Sequence, residues 1–217
     1  LLDDEGRVVG LETTINLRLE DKQENWVVLM AGGEGRRLRP LTEDTPKPML
    51  KIGGKPILQN TIESFKKAGF HKFLISVNYK ADIIKDYFKD GSALGVHIKY
   101  LEEEEYLSTA GALSLIQETM KEPFIVMNGD ILTKVEFKNV IDFHQSHDAM
   151  ATMCVREYNL QIPYGVVNSD DFQFESVQEK PMVTYYVNAG IYVFNPKVLN
   201  HIPSGEQLTM TDLFEQL

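Results

Sequence analysis

The chain has 217 residues, of which 43% are hydrophobic, and its formal net charge is −10. This length and composition suit one main globular domain, and the single cysteine, Cys154, excludes a disulfide framework. No apolar run approaches the roughly 18 residues that a membrane span needs, and no basic leader precedes an apolar stretch, so we expect a soluble, cytoplasmic protein without a membrane partner.

The first residues read as a small unit of their own. Residues 1–19 predict a strand, an Asp-Asp-Glu-Gly turn, a second strand and a short capped helix. This order resembles the closing segment of a CBS domain, with Asn16 where that pattern usually has Asp, and the resemblance implies an adenine nucleotide as a partner of a longer protein. An ordinary N-terminal hairpin is the alternative. We therefore expect a CBS remnant at residues 1–20, a polar linker at 21–25 and the main domain at 26–217.

A buried strand at Val27–Met30 then runs directly into a glycine-rich turn. Residues without side chains let backbone N–H groups close around phosphate oxygens, and basic side chains that suit phosphate follow closely. The glycines are Gly32, Gly33 and Gly35, and the cations are Arg36, Arg37, Arg39, Lys47, Lys51 and Lys55. This combination predicts a triphosphate site.

The charge distribution supports a small anionic ligand. Residues 32–55 carry six basic and three acidic side chains, whereas the rest of the chain carries 16 basic and 29 acidic ones. A small positive site on an acidic body suits a small anionic substrate with a metal ion. A polynucleotide needs an extended basic stripe instead, so we expect no nucleic-acid partner.

Two common phosphate motifs do not fit the turn. A Walker loop requires Gly-Lys-Ser/Thr after four intervening residues, whereas Gly35 is followed by Arg36, Arg37 and Leu38. A dinucleotide fingerprint requires a third glycine at the position of Leu38, which argues against a nicotinamide cofactor.

Helices and strands alternate beyond the turn, and the second half is richer in strands. The alternation predicts an α/β fold with a doubly wound, mostly parallel, Rossmann-like sheet, in which ligands gather at the carboxyl ends of the strands. The predicted helices are Lys55 to Gly69, Ala81–Lys89 and Ala110–Glu118, and the predicted strands are Lys72–Val77, Val96–Tyr100, Phe124–Met127, Met150–Arg156, Tyr164–Asn168, Phe172–Ser176 and Tyr185–Phe194.

Asn128-Gly129-Asp130 follows a predicted buried strand. A carboxylate at this place can bind Mg²⁺, which takes oxygen ligands and keeps several waters while it bridges substrate phosphates. A turn-forming Asp is the alternative. The five histidines show no metal-ligand spacing.

The run from Gly32 to Leu58 resembles the signature of the sugar-1-phosphate nucleotidylyltransferases, also called nucleotide-sugar pyrophosphorylases. Their pattern is close to Gly-Gly-x-Gly-Thr-Arg-Leu-x-Pro-Leu-Thr, then Pro-Lys-Pro-Met-Leu and Gly-Lys-Pro-Ile-Leu, and the departure here is Arg36. The resemblance implies a GT-A-type nucleotidyltransferase with a strand-rich sugar-binding part. It also implies an enzyme that forms an NDP-sugar and pyrophosphate from an NTP and a sugar 1-phosphate, with Mg²⁺ as cofactor.

The same resemblance implies roles for individual residues. Arg37 and Lys47 are the expected catalytic clamp on the triphosphate, and Asp130 is the expected catalytic metal ligand. Lys180 would bind the sugar phosphate, and Ser108 stands where the base-contact segment usually has glycine. The expected nucleotide-binding residues are Ala31, Gly32, Gly33, Gly35, Arg36, Glu102, Thr109, Ala110 and Gly111, and the expected sugar-phosphate-binding residues are Gly165, Glu179, Lys180 and Asn188.

Base, sugar and oligomeric state stay open. Resemblance to CBS-linked homologues of bacterial cell-surface polysaccharide pathways favours GTP over UTP, dTTP or CTP, and a homo-oligomer is compatible with it. A nucleotide-binding regulatory module without turnover and a GT-A glycosyltransferase are the alternative functions. The family usually places a second metal-binding Asp in a Trp-x-Asp-Ile-Gly segment beyond the position of Leu217, so residues 1–217 are expected to bind nucleotide but to turn over poorly.

Overall fold

A computed structural model of the protein describes residues 22–217 and divides the chain into two compact units. The first unit comprises residues up to Thr152 together with Tyr192–Leu217, and the second comprises Met153–Ile191. The expected CBS remnant lies outside the described residues. Part of the expected linker belongs to the sheet, because the first strand begins at Gln23.

The first unit contains most of the alternating elements. Its strands are β1 (Gln23–Met30), β2 (Lys51–Ile52), β3 (Lys55–Pro56), β4 (Phe70–Val77), β5 (His97–Glu102) and β6 (Phe124–Asn128). Its α-helices are α1 (Ile57–Lys67), α2 (Ala81–Phe88), α3 (Ser108–Gly111), α4 (Phe137–Ser146) and α5 (Met210–Gln216). Short 3₁₀ helices cover Arg36–Leu38, Lys47–Met49, Ser92–Leu94, Ala112–Leu115 and Pro196–His201. Among the described residues, none of the helices is long and apolar enough to cross a bilayer.

The second unit is built from strands. These are β7 (Ala151–Gln161), β8 (Val166–Asp170), β9 (Gln173–Gln178) and β10 (Met182–Phe194), of which β7 begins and β10 ends in the first unit. Strands β8 and β9 pair antiparallel as a hairpin. The strand-rich character expected for this half of the chain is therefore confirmed.

The main sheet has the strand order β5-β4-β1-β6-β10-β7. Strand β1 pairs parallel with both β4 and β6, and β4 pairs parallel with β5. Met30 lies opposite Ser76 on one side and Asn128 on the other, so the carboxyl ends of three strands meet at one edge. The predicted α/β fold with a mostly parallel sheet is confirmed.

The strands that form this edge are packed into the apolar core. Val27, Val28 and Leu29 are fully buried, as expected for a parallel strand that is covered on both faces. Phe65 of α1 is also fully buried and stacks on Phe137 of α4, with ring centroids 3.7 Å apart. Full burial of one such side chain contributes about 1.5–3 kcal/mol, so the strands that carry the edge are firmly held.

Two of the predicted helices differ from the structure. The helix predicted at Ala110–Glu118 is wrong: α3 ends at Gly111, and a 3₁₀ turn ends at Leu115. The helix predicted from Lys55 begins two residues later, because Lys55 and Pro56 pair with Ile52 and Lys51 as β3 and β2. Helix α4 was not predicted, although its buried residues Phe137, Ile141 and His144 have helical spacing.

Candidate active site

A cavity of about 320 Å³ opens where β1, β4 and β6 end, and Met30, Ser76 and Asn128 all line it. Most of the residues expected to bind nucleotide or metal are brought together there. The expected residues that line the cavity are Ala31, Gly32, Gly33, Gly35, Arg36, Arg37, Lys47, Thr109 and Asp130.

The glycine-rich turn folds back on the segment that follows it. Gly35 has a φ of 63°, in the left-handed region, and the Thr42 hydroxyl donates to its carbonyl oxygen at 2.9 Å. A Cβ on Gly35 would lie 3.0 Å from the Thr42 side chain and 3.1 Å from Cβ of Lys47. A Cβ on Gly33, in contrast, would meet no atom within 4 Å. Glycine is therefore required by conformation and space at Gly35, whereas at Gly33 a side chain would point into open space.

Lys47 and Asp130 form an ion pair inside the cavity, in which Nζ of Lys47 donates to Oδ2 of Asp130. Asp130 is positioned by Gly129, whose N–H donates to the Met30 carbonyl at 2.8 Å. A Cβ on Gly129 would lie 2.8 Å from that carbonyl oxygen, so the close approach of the two strand ends requires glycine. The structure thus joins two of the three predicted catalytic residues directly.

The two neighbouring arginines differ in their partners. Arg36 binds the carboxylate of Glu34 through Nε at 2.6 Å and through a terminal nitrogen at 2.9 Å. This guanidinium lowers the pKa of the Glu34 carboxyl below its usual value. In the part of the chain that the structure describes, the Arg37 guanidinium has no carboxylate partner. Arg37 therefore keeps its full donor fork for a ligand.

Glu103 is a cavity residue that the sequence interpretation missed. It is only 7% exposed, and its carboxylate accepts from the Ser76 hydroxyl through Oε1 and from the Leu107 N–H through Oε2 at 2.9 Å. It also faces the glycine-rich turn, because a Cβ on Gly32 would lie 2.9 Å from Oε1. An ionised carboxylate is an acceptor only, so a buried acceptor lines the cavity.

Glu102 is expected to contact the nucleotide, and that role stays a prediction, because the structure places this residue away from the cavity. Its side chain lies outside the cavity lining, is 61% exposed and binds Nζ of Lys85 at 2.9 Å. This contact raises the pKa of Lys85. Successive side chains of an extended segment point to opposite sides, so Glu103 shares the inward side with Leu101, which is buried. Alternation in the sequence does not identify Glu103, because the buried residues Val96 and Ile98 would place Glu102 on their own side.

The wall segment, residues Leu107–Gly111, is fastened to residues 206–210. The N–H groups of Ala110 and Gly111 both donate to the Leu208 carbonyl, at 2.9 and 3.0 Å. A Cβ on Gly111 would lie 2.4 Å from the Glu206 carbonyl oxygen. Ala110 and Gly111 do not line the cavity, and the structure uses both residues to attach the wall. Their expected contact with the nucleotide stays a prediction.

Two hydroxyl residues of the wall segment do line the cavity. Thr109 Oγ1 accepts from the Met210 N–H at 2.9 Å, so this hydroxyl also fastens the wall. Ser108 has a φ of 68°, in the left-handed region. For a residue with a Cβ this conformation costs roughly 1–2 kcal/mol, and strained backbone of this kind is concentrated at functional sites.

The residues expected to bind the sugar phosphate lie in the second unit. Val166 of β8 pairs with Gln178 of β9, which brings Gly165 opposite Glu179 at the open end of the hairpin. A Cβ on Gly165 would lie 3.1 Å from Glu179 Oε2, and the Lys180 N–H donates to the Tyr164 carbonyl at 3.2 Å.

Asn188, the fourth expected sugar-phosphate residue, lies in β10, where its Oδ1 accepts from the Gly190 N–H at 2.8 Å. The structure therefore groups Gly165, Glu179 and Lys180 at one place. The roles of all four residues stay predictions.

The donor set of the cavity fits one particular mode of magnesium binding. No group of three His, Cys, Asp or Glu side chains among residues 22–217 could hold a metal by itself. Mg²⁺ usually binds through one or two carboxylates and completes its shell with waters and substrate phosphates. Asp130, beside a turn that suits phosphate, is compatible with this mode.

Comparison with known proteins gives the chain its family. The profile of the nucleotidyl transferase family matches residues 26–217. The chain is 38% identical over 182 residues to the mannose-1-phosphate guanylyltransferase catalytic subunit beta of Drosophila pseudoobscura pseudoobscura, covering 81% of this chain and 49% of that protein. It is 34% identical over 210 residues to the UTP–glucose-1-phosphate uridylyltransferase of Synechocystis sp., covering 88% and 54%. The chain thus spans about half the length of the curated relatives it matches.

Solved structures agree. HddC from Yersinia pseudotuberculosis superposes with a TM-score of 0.65 at 31% identity, covering 84% of this chain and 81% of that one. A second crystal structure of HddC, complexed with GMP-PN, superposes with a TM-score of 0.64 at 30% identity, covering 85% and 82%. Family profile, relatives and fold point the same way as the glycine-rich signature, and the chain belongs to the nucleotidyl transferase family.

Proposed function

We propose that the protein containing this chain transfers a nucleotidyl group from an NTP to a sugar 1-phosphate and releases pyrophosphate. One observation carries the proposal: a single cavity at the strand ends gathers the glycine-rich turn, Arg37 and the Lys47–Asp130 pair. A mannose-1-phosphate guanylyltransferase and a UTP–glucose-1-phosphate uridylyltransferase among the relatives support it.

The chemistry needs little from the protein beyond positioning and charge. An oxygen of the sugar phosphate attacks the α-phosphorus of the NTP, the bond between that phosphorus and the bridging oxygen to the β-phosphate breaks, and pyrophosphate leaves with the electron pair. The attacking oxygen is already anionic at neutral pH, so neither a general base nor a covalent nucleophile is required. Orientation and preorganised charge supply the rate enhancement.

Each cavity residue then has a definite task. Arg37 offers a planar fork to the phosphate oxygens, and the backbone N–H groups of Gly32 and Gly33 surround the phosphates. Lys47 leaves Asp130 and neutralises the charge that develops on pyrophosphate. Magnesium bound at Asp130 would withdraw charge from the α-phosphate.

We further propose GTP as the preferred nucleotide. Glu103 offers only acceptor atoms to the cavity, and guanine carries two adjacent donors, N1–H and N2–H, on its Watson–Crick edge. The name of the guanylyltransferase relative and the GMP-PN complex of HddC support this choice. The uridylyltransferase relative keeps UTP as the competing candidate.

We propose that the sugar 1-phosphate binds to the residues at the open end of the β8–β9 hairpin. Lys180 supplies a cation for the phosphate, and Glu179 accepts from sugar hydroxyls. Gly165 leaves room beside Glu179, where a Cβ would come within 3.1 Å of the carboxylate. Asn188 contributes a further polar contact. Cytoplasmic location, a homo-oligomeric state and an adenine nucleotide at the CBS-like residues remain further predictions.

Measuring pyrophosphate release from the full-length protein over a grid of NTPs and sugar 1-phosphates, with Mg²⁺, tests the proposal. We expect release that requires both substrates and is fastest with GTP. The matched control is Arg37→Ala in the same assay. A protein that binds NTP but releases no pyrophosphate with any sugar 1-phosphate would instead be a nucleotide-binding module.

A further inference from the structure

We propose that the Ser108 hydroxyl is a specificity-determining group, which donates a hydrogen bond to the C6 carbonyl of guanine while Glu103 accepts from the base N–H groups. The inference rests on the proposed function, because it places the base of an NTP in the cavity. It identifies a hydrogen-bond donor for the base and so predicts which atom of the base the protein recognises.

The first observation is the conformation of Ser108. Its φ of 68° lies in the left-handed region, which glycine adopts without penalty. The structure holds Ser108 in this conformation from both sides. The Leu107 carbonyl accepts from the Leu208 N–H at 3.1 Å, and Thr109 Oγ1 accepts from the Met210 N–H at 2.9 Å. A residue with a side chain therefore occupies a strained position of the cavity wall.

The second observation is that the Ser108 hydroxyl is free to bind. Within residues 22–217 it has no hydrogen-bond partner, whereas the neighbouring Thr109 hydroxyl is engaged by Met210. Both residues line the cavity. Ser108 therefore supplies an available donor on this wall.

The third observation is the position of Glu103 relative to Ser108. Oε2 of Glu103 accepts from the N–H of Leu107, the residue directly before Ser108, at 2.9 Å. Each carboxylate oxygen has two lone pairs, so each can accept one further bond beyond those from Leu107 and Ser76. The buried double acceptor thus binds the residue that precedes the available donor, and Glu103 and Ser108 both line the cavity.

Among the four common bases, guanine matches this set most completely. Its Watson–Crick edge presents the O6 acceptor beside two donors, N1–H and N2–H. Adenine and cytosine present one amino donor, and uracil presents one ring N–H, so each leaves an acceptor of Glu103 unused. Buried polar groups that a ligand leaves unpaired are a strong source of discrimination.

Calorimetric binding of nucleotides to the full-length protein, without sugar 1-phosphate, tests the inference through a matched pair of ligands. GTP and 6-thioguanosine triphosphate share the N1–H and N2–H donors and differ at C6, where the second carries sulfur, a much weaker hydrogen-bond acceptor than oxygen. We expect wild type to bind GTP several-fold more tightly than the analogue, up to about the fivefold that one hydrogen bond supplies. In Ser108→Ala most of this difference should disappear, because the donor is gone while a Cβ and its backbone strain remain.

Two further variants make the result decisive. Ser108→Gly should also lose the preference for GTP over the analogue, but should melt at a higher temperature than wild type because the strain is relieved. Ser146→Ala, which removes an exposed hydroxyl of α4 that bonds to the Phe143 carbonyl, should retain the wild-type ratio.

An unchanged ratio in Ser108→Ala, with pyrophosphate release intact, would overturn the inference and leave the proposed function standing. A wild type that prefers UTP or ATP to GTP would overturn it as well. Absence of NTP binding to wild type would overturn both.

Discussion

At the scale of single residues, Lys47 and Asp130 neutralise each other inside the cavity when it holds no ligand. Each side chain satisfies the charge of the other, and both are only about one-third exposed, at 33% and 27%. A buried charge that loses its partner is costly. Substitution of one residue therefore leaves the charge of the other without its partner, so the effect on both residues must be considered in each test.

Asp130→Asn should abolish metal-dependent turnover in the full-length protein, because it removes a hard anionic ligand while it keeps the size of the side chain. NTP binding in EDTA should persist or tighten, since Lys47 is released from its partner. Product formation against Mg²⁺ concentration and calorimetry in EDTA measure the two effects. If Asp130 only forms a turn, Asn will serve equally well, and the rate and magnesium midpoint will match wild type.

Arg37→Ala should lower kcat by about 10²-fold or more, the scale of removing one preorganised donor from a transition state. Arg36→Ala is the matched control, because Arg36 is adjacent in the chain but is occupied by Glu34 and 75% exposed. We expect a much smaller loss from Arg36→Ala, because that guanidinium already has a carboxylate partner. Equal losses from the two substitutions, with unchanged melting temperatures, would contradict the assignment of different roles.

At the scale of elements, the wall segment shows how a remote stretch of chain can define a site. Its N–H groups and the Thr109 hydroxyl bind residues 208 and 210, so the cavity wall is attached to the residues at the start of α5. Helix α5 is itself secured by a capping box between Thr209 and Asp212. The position of this wall is set by contacts that local sequence does not reveal.

Gly111→Ala should destabilise the protein by about 1–3 kcal/mol, the usual cost of overpacking, because its Cβ would meet the Glu206 carbonyl oxygen at 2.4 Å. It should also weaken NTP binding by displacing the wall. Gly33→Ala is the control, since its Cβ would meet nothing within 4 Å, and its unfolding free energy should change by less than about 0.5 kcal/mol. Urea denaturation of both variants gives the comparison, and equal destabilisation would be the contrary result.

Elements of the parallel sheet could be predicted because they depend on short-range patterns. The apolar run Val27–Met30 followed by glycines located β1 and the turn, and Met30 and the glycines do line the cavity. The α-helix predicted at Ala110–Glu118 ends at Gly111, and the bonds of Ala110 and Gly111 to Leu208, nearly a hundred residues away, leave no signal in the local sequence. The sequence favours Glu102 over Glu103, because Glu102 continues the alternation of the buried residues Val96 and Ile98, whereas Glu103 shares its side with Leu101.

At the scale of the whole molecule, stability should depend on pH through His144. This histidine is 1% exposed in α4, its Nδ1 lies 2.9 Å from the Thr152 hydroxyl, and burial lowers its pKa below the ordinary 6.5. As pH falls below about 6.5, the unfolded chain binds a proton before the folded one does. Stability associated with His144 is therefore fully present above that pH and is lost as pH falls through the lowered pKa of the folded state.

Comparing urea midpoints at pH 8 and pH 5.5 measures this effect. Wild type should lose more stability between the two than His144→Gln, which cannot titrate. The carboxyls of Glu24 and Glu63, whose pKa values lie below 4.5 because of Lys72 and Lys55, lose their contributions only at more acid pH. If His144→Gln shows the same pH dependence as wild type, His144 is not the cause.

The attachment of the cavity wall also has a consequence for biosynthesis. Thr109 and Met210, which share a hydrogen bond, are 101 residues apart. At ribosomal rates of about 5–20 residues per second, the second partner is synthesised roughly 5–20 seconds after the first. During that interval the nascent chain carries the glycine-rich turn without an attached wall beside it, so the cavity is completed late in translation, after the parallel strands have emerged.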